Sequence, residues 1–235
     1  MRGQRQLMSG LMKLARAACT RHESAVGAAS IDYPALMSKH VAGARLFADR
    51  EELISSLHSA KGGIVAEVGV AAGDFSEFML DALAPARFVA FDTFKLHEVP
   101  VVWGVPSRTL LAGMTHLDFY QHRFGARGDQ IAIEIGPSQA SLARYPDEHF
   151  DLIYIDGDHS YEGVRTDAQI GKSKLKAGGF LVFNDYILVD HVSGQHYGVV
   201  PAVHELVVAE DWTVVGFALQ HHLFCDIAIR KPARL

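Results

Sequence analysis

Five short apolar runs punctuate the chain: "GIVAEVGV", "RFVAFDTF", "QIAIEIG", "FDLIYIDG" and "GGFLVFND". Each is stopped by Gly, Asp or Asn. Near-continuous apolar runs of this length are what strands buried on both faces require. Stretches of helical period separate them: "DFSEFMLDAL", "THLDFYQHRFG" and "YEGVRTDAQIGKSKL". Strands alternating with helices predict an open, doubly wound, mostly parallel α/β sheet. Near the end, "WTVVGFALQ" and "LFCDIAIR" follow one another with no helix between them. They predict a hairpin, and so an antiparallel terminal strand.

Residues 1–60 read as an N-terminal helical extension or cap, and residues 61–235 as the sheet domain. "ADREELISSLHSA" has Asp49 as N-cap and Leu53, Ile54 and Leu57 as an apolar stripe, with Gly62 and Gly63 ending it. Further upstream, Leu7, Leu11, Leu14 and Ala18 fall at helical spacing among basic residues. Lys13 and Arg16 interrupt the apolar positions, which makes a poor signal peptide. The expectation is an amphipathic helix docked on the domain or on a second subunit, hence a homo-oligomer through the N-terminal helices.

Composition narrows the picture. Of 235 residues, 49% are apolar and 21% charged, the profile of a globular protein with a sizeable core. Net charge is −5 and no dense Lys/Arg block follows the first residues, which argues against nucleic-acid binding. Two cysteines, Cys19 and Cys225, make neither a disulfide framework nor a CxxC zinc motif, so a cytoplasmic setting is expected. No apolar run reaches the roughly 18 residues a membrane span needs.

Ligands of such sheets bind beyond the carboxyl ends of the strands. Asp92 closes the second run there, Asp156 the fourth, and Asn184–Asp185 the fifth. Two long connections leave the same edge, residues 95–114 with Trp103 and residues 186–198 with His191, His196 and Tyr197; they read as lids or specificity loops. After the first run, "EVGVAAGDFS" makes a tight turn with Gly69 and Gly73. Ala71 stands where a G-x-G-x-x-G dinucleotide fingerprint needs its second glycine. Glu67 and Asp74 add negative charge where a phosphate would sit, so a cationic or zwitterionic cofactor head suits the turn better. Asp92, 23 residues beyond Gly69, is placed to accept both hydroxyls of a ribose.

On the segments "EVGVAAG", "FDTF", "IGPSQASL", "FDLIYIDGDHSYEGVRTD" and "AGGFLVFNDY", the chain resembles the class I S-adenosylmethionine-dependent methyltransferases. The resemblance spans about residues 62–230 and implies their Rossmann-like, seven-stranded sheet with an antiparallel last strand. It implies that Glu67, Gly69, Val70 and Gly73 line the methionine and ribose part of S-adenosylmethionine. Asp92, beside Thr93, would hold the ribose hydroxyls, Ser138 would lie near the adenine, and Asp156 would border the cofactor.

"IDGDHSYEGVRTD" is similar to the branch of macrolide-sugar O-methyltransferases, and distantly to catechol O-methyltransferase. That branch implies Mg²⁺ held by Asp156, Asn184 and Asp185, oxygen ligands of the kind Mg²⁺ prefers. The ion would lower the pKa of a bound hydroxyl. His159, three residues beyond Asp156, is a candidate general base. Asp158 reads as a helix cap. His221, His222 and Cys225 superficially resemble a metal cluster, but strand alternation would split them between faces. The expected function is methyl transfer from S-adenosylmethionine to a hydroxyl of a sugar or other polyhydroxylated small molecule. The alternatives are a metal-independent methyltransferase with His159 as base, a nicotinamide-dependent oxidoreductase, and a cofactor-binding scaffold.

Overall fold

The computed structural model describes residues 31–233. The N-terminal stretch read as an amphipathic helix, with Cys19, lies outside the described residues. Ten strands follow in chain order: β1 (Arg45–Phe47), β2 (Ile64–Val68), β3 (Arg87–Asp92), β4 (Val101–Val102), β5 (Val105–Pro106), β6 (Ile131–Ile135), β7 (Phe150–Ile155), β8 (Leu175–Phe183), β9 (Thr213–Ala218) and β10 (Asp226–Arg230).

Eight of them form one sheet in the order β1-β9-β10-β8-β7-β2-β3-β6. β6, β3, β2, β7 and β8 run parallel, while β10 is antiparallel to both β8 and β9. All five apolar runs and the terminal hairpin are therefore strands where the sequence puts them. The eighth strand, β1, is one more than expected. It pairs parallel with β9, Leu46 opposite Phe217. Only Phe47 of its three residues is buried, so it leaves no apolar run to read.

Helices cover both faces. Asp74–Leu83 and Tyr161–Lys174 match the periodic stretches, and His116–Phe124 is capped by the Thr115 side chain on the Asp118 N–H. The Asp49 cap also forms, accepting from the Glu52 N–H at 2.8 Å. Its helix stops at Ser55, and a 3₁₀ turn over His58–Ala60 completes the segment. A helix that the periodicity did not single out, Val199–Glu210, covers one face beside Tyr161–Lys174. Most of its first turns are buried, which blurs any stripe, and Pro201 sits in the first turn, where a missing N–H costs little.

The core divides into one cluster on each face of the sheet. One holds Leu53, Ile54, Leu57, Phe88 and Tyr154; the other holds Phe91, Phe150, Phe183, Val203 and Trp212. Both long connections have structure of their own. The first folds into the β4–β5 hairpin, with Trp103 and Gly104 at φ 49° and 79° in its two-residue turn. Positive φ at both positions matches the twist of a hairpin but costs a bulky residue. The second is closed by a Val189–His196 bridge and tied to the Asp156–His159 segment by the Gly198 N–H donating to the His159 carbonyl at 2.8 Å. No helix among the described residues is long and apolar enough to cross a membrane.

Candidate active site

The ladder hydrogen bonds run one residue past the strand ends and fix the site's floor. Gly69 N–H donates to Phe91 O, Asp156 N–H to Val68 O, Asn184 N–H to Ile155 O and Gly136 N–H to Asp92 O, all at 2.8–3.0 Å. Two cavities open on this edge, of about 830 and 500 Å³. The larger touches Glu67, Gly69, Val70, Asp156, His159, Asn184 and Asp185. The smaller touches Gly69, Asp92, Thr93, Ser138 and Asp156. The sequence-predicted residues thus converge on two adjoining spaces that share Gly69 and Asp156. Gly73 is the exception: it lines neither cavity, and its role is to turn the chain into the Asp74–Leu83 helix at φ 85°.

Gly69 is where glycine is needed. It has φ 83°, and a Cβ there would stand 2.6 Å from the Asp156 carbonyl carbon and 2.8 Å from Gly157 Cα. The turn after β2 therefore lies directly on the Asp156 backbone. Asp92 organises the same turn from β3. One carboxylate oxygen accepts from the Val70 N–H at 2.9 Å and the other from the Phe94 N–H at 2.7 Å. Thr93 is exposed on the lip. Ser138 starts the helix Ser138–Leu142 and donates to Asp167 at 2.8 Å. Asp167 is buried, and burial pushes it up to about 6.

Glu67 is fully buried, and burial pushes its carboxyl up to about 8 against the Ser76 hydroxyl that bonds it. Near neutral pH the group therefore holds a proton until a cation arrives beside it. Ser76 also accepts from Tyr120 at 3.0 Å, so it supports Glu67 instead of facing the cavity. Asp74 is largely exposed and pairs with Arg123 at 2.7 Å, which neutralises part of the acidity expected of this turn.

At the chemistry end, His159 Nε2 lies 3.5 Å from Asp156 Oδ1 and 3.7 Å from Asp185 Oδ2. The nitrogen is buried and completes no hydrogen bond with either. Tyr197 of the second loop stacks on the ring, centroids 4.7 Å apart and planes 11° apart. Burial lowers the imidazole pKa, but Asp156, Asp185 and Asp158 outweigh it, and the net shift is upward. Asp185, at φ 52°, is raised to about 6 by burial and then by the charge of Asp156. Asp158 is not the helix cap. Ser160 caps Tyr161–Lys174 by accepting from the Gly163 N–H, and Asp158 accepts from the Ser160 N–H at 2.9 Å while bordering the smaller cavity.

Among the described residues no group of three or more His, Cys, Asp or Glu side chains is arranged to hold a metal ion. Asn184 donates its amide nitrogen to Asp226 at 3.1 Å. His221, His222 and Cys225 lie in the turn between β9 and β10, not on the strands. The two histidines border the larger cavity, and the Cys225 thiol lies 3.4 and 3.5 Å from the carbonyl oxygens of Leu219 and Leu223.

A buried polar group under the cavity escaped the sequence reading. Asp226 opens β10 and accepts from Tyr154 at 2.6 Å, Gln220 at 2.9 Å and Asn184. Burial pushes it up to about 7. A carboxyl inside the apolar run "LFCDIAIR" was the available signal. Arg50, from the N-terminal segment, reaches the same place and left no signal at all. Gly136 and Gln139 join Ser138 on the smaller cavity.

The methyltransferase-domain family matches residues 66–186, half the chain. No curated protein sequence matches. Among solved structures, an O-methyltransferase from Bacillus cereus in complex with SAH is 15% identical with a TM-score of 0.54, covering 77% of this chain and 80% of that one. Cofactor-bound Rv0187 from MTB is 17% identical with a TM-score of 0.53, covering 92% and 88%. A protein from Corynebacterium glutamicum is 15% identical with a TM-score of 0.53, covering 94% and 91%. At these identities the structures establish the shared fold, and the matched family carries the rest: this chain belongs to the methyltransferase-domain family, as a class I S-adenosylmethionine-dependent methyltransferase.

Proposed function

We propose that the chain is an O-methyltransferase acting on a hydroxyl of a sugar or another polyhydroxylated small molecule. The observation that carries this reading is the position of His159. His159 borders the larger cavity, and its Nε2, buried and completing no hydrogen bond, lies between two carboxylates. A cavity of about 830 Å³ with acidic walls suits a neutral, hydroxyl-rich acceptor better than a phosphorylated one.

S-adenosylmethionine, when bound, supplies an electrophilic methyl group on a sulfonium and leaves as neutral S-adenosylhomocysteine. The residues fit such a ligand. Gly69 leaves room that a Cβ would fill, Glu67 can ionise beside a positive charge, and Asp92 stands at the cavity shared with Ser138. His159 takes the acceptor's hydroxyl proton on Nε2 as the oxygen forms its bond to the methyl carbon. Asp156 and Asp185 stabilise the imidazolium that results, and Tyr197 holds the ring plane. Alignment of the oxygen with the methyl group supplies much of the rate.

A second reading adds Mg²⁺ at Asp156, Asn184 and Asp185. It is favoured by the chemistry of these donors, two carboxylates and an amide oxygen bordering one cavity, and by the burial and the neighbouring charge of Asp156 that raise Asp185. The ion would supply charge that acidifies a bound hydroxyl. Against it stands the absence, among the described residues, of a metal-holding group of three acidic, His or Cys side chains.

The test is calorimetric titration of S-adenosylmethionine and S-adenosylhomocysteine into wild type and Asp92→Ala, followed by a hydroxyl-acceptor screen read by mass spectrometry. Binding that is lost in the variant, with transfer to a polyol, is the expected result. No binding by wild type overturns the reading. Activity that chelation abolishes and Mg²⁺ restores establishes the second reading; activity indifferent to chelation leaves His159 as the only activator.

A further inference from the structure

Arg50 stands alone in the larger cavity. Six carboxyl-bearing residues border that space, and Arg50 is its only Lys or Arg among the described residues. It is the first residue of the helix Arg50–Ser55, held in place by the Asp49 cap, and it comes from outside the strands that carry the other site residues. Its guanidinium lies over the Phe75 ring, 4.0 Å from the centroid, at the first turn of the helix that follows the Gly69–Gly73 turn.

Its polar contacts are all long. The nearest partner, the Tyr154 hydroxyl, is 3.4 Å away, Glu51 is at 3.8 Å and Asp156 at 3.9 Å. Nη2 has no hydrogen bond or ion pair among the described residues. Three other arginines, Arg123, Arg127 and Arg144, each grip a carboxylate at 2.6 or 2.7 Å, whereas exposed Arg165 has only long pairs at 3.8 and 3.9 Å. A guanidinium has five N–H donors in a planar fork matched to a carboxylate. Here the fork is half-buried and stacked, with its donors nearly unspent. The side chain is only 28% exposed. Asp156, Glu51 and the buried Asp226 act on it through space, but no carboxylate comes within hydrogen-bonding distance.

An anion of carboxylate size, delivered into the cavity, would complete this residue. On the reading that the cavity takes S-adenosylmethionine, the ligand carries one: its amino-acid end is a zwitterion. The carboxyls of Glu67 and Asp156 offer the negative charge that an ammonium needs, and Arg50 offers the single positive counterpart on the same wall. We propose that Arg50 is the cofactor-anchoring residue that takes the α-carboxylate of the amino-acid end, and that it thereby selects an intact amino-acid tail over a truncated one.

The ligand carboxylate has two sources, the cofactor or the acceptor, and calorimetry without acceptor separates them. S-adenosylhomocysteine and its decarboxylated analogue, which keeps the amine, are titrated into wild type, Arg50→Met and Arg50→Lys. A charge-assisted bidentate contact is worth about ten- to a hundredfold in affinity. In wild type the decarboxylated analogue is expected to bind weaker by that factor. In Arg50→Met, S-adenosylhomocysteine should weaken by the same factor, while the analogue keeps its wild-type affinity. Arg50→Lys, which retains charge without the fork, should fall between. The proposal is overturned if Arg50→Met binds S-adenosylhomocysteine as wild type does, which would leave the acceptor as the source. It is equally overturned if both ligands weaken together, which would make Arg50 a support for the turn. If Arg50→Met does not fold, equal affinity of wild type for the two ligands overturns it alone. Failure of wild type to bind S-adenosylhomocysteine at all sinks the cofactor reading itself.

Discussion

Gly69→Ala isolates the contact on which the site is built. Two costs can be worked out separately. An alanine at φ 83° pays the left-handed penalty, about 1–2 kcal/mol. Its Cβ also lands 2.6 Å from the Asp156 carbonyl carbon and nearer still to the carbonyl oxygen, where ordinary contact begins at 3.4 Å, so the two backbones must part by more than about 0.8 Å. Neither neighbour is a flexible side-chain end that could swing away. Gly62 is the control. It has φ 70°, and a Cβ there meets nothing within 4 Å. Gly62→Ala should therefore lose only the strain, about 1–2 kcal/mol. Gly69→Ala should lose more, about 3 kcal/mol or above once separated backbones forfeit their ladder bonds. Because the displaced segment carries Asp156 and His159, the misplacement should also cost activity, on the order of a hundredfold for a shift near 1 Å. Urea unfolding gives the first number, and calorimetric titration of S-adenosylhomocysteine with a kcat measurement gives the second. If Gly69→Ala matches Gly62→Ala in both, the close approach of the two turns does not position the site.

His159→Gln removes the proton acceptor but keeps a polar side chain, and kcat should fall about 10²- to 10⁴-fold, with S-adenosylhomocysteine affinity little changed; full activity in the variant would exclude His159 as the base. Since the carboxylates outweigh burial and raise the imidazole pKa above 6.5, a protonated ring must first lose its proton, so kcat/KM should rise with pH through a midpoint above 6.5. A rising limb centred below 6.5 would contradict this electrostatic balance. Buried carboxyls predict the opposite slope for stability: Glu67 is raised to about 8, Asp226 to about 7, Asp185 and Asp167 to about 6. The unfolded chain releases these protons near its ordinary values of 3.8 and 4.5 while the folded chain still holds them, so stability should fall as pH rises from about 4 to about 8. Denaturant unfolding that is flat or rising across that window would refute the assignment.

The parallel strands were legible because burial on two faces leaves an uninterrupted apolar run, and the functional edge because each run breaks on an acidic or amide residue at its carboxyl end. Asp92, Asp156, Asn184 and Asp185 are read in this way. β1 was not legible: it is three residues long, and its pairing with β9 is decided by the sheet edge it meets. Val199–Glu210 carries apolar side chains around most of its circumference, so period alone gave no face. The Asp158 cap failed for a local reason, since Ser160 stands two residues closer to the helix and wins the N-cap. Arg50 and Asp226 are near each other only through the fold, and a sequence shows neither the ring under one nor the three donors around the other.

The placement of β10 has a consequence for how the chain reaches its working state. β10 lies between β8 and β9, antiparallel to both, although it is the last of the three to be synthesised. A nascent chain that has emerged only through residue 225 holds two open sheet edges facing an empty slot, a hazard for pairing with other chains. It also lacks the carboxyl that gathers Tyr154, Asn184 and Gln220 beneath the cavity. Filling the slot closes both edges and brings the Asp226 carboxyl beneath Tyr154, Asn184 and Gln220 in one step, so the same strand that seals the sheet also completes the support of the site.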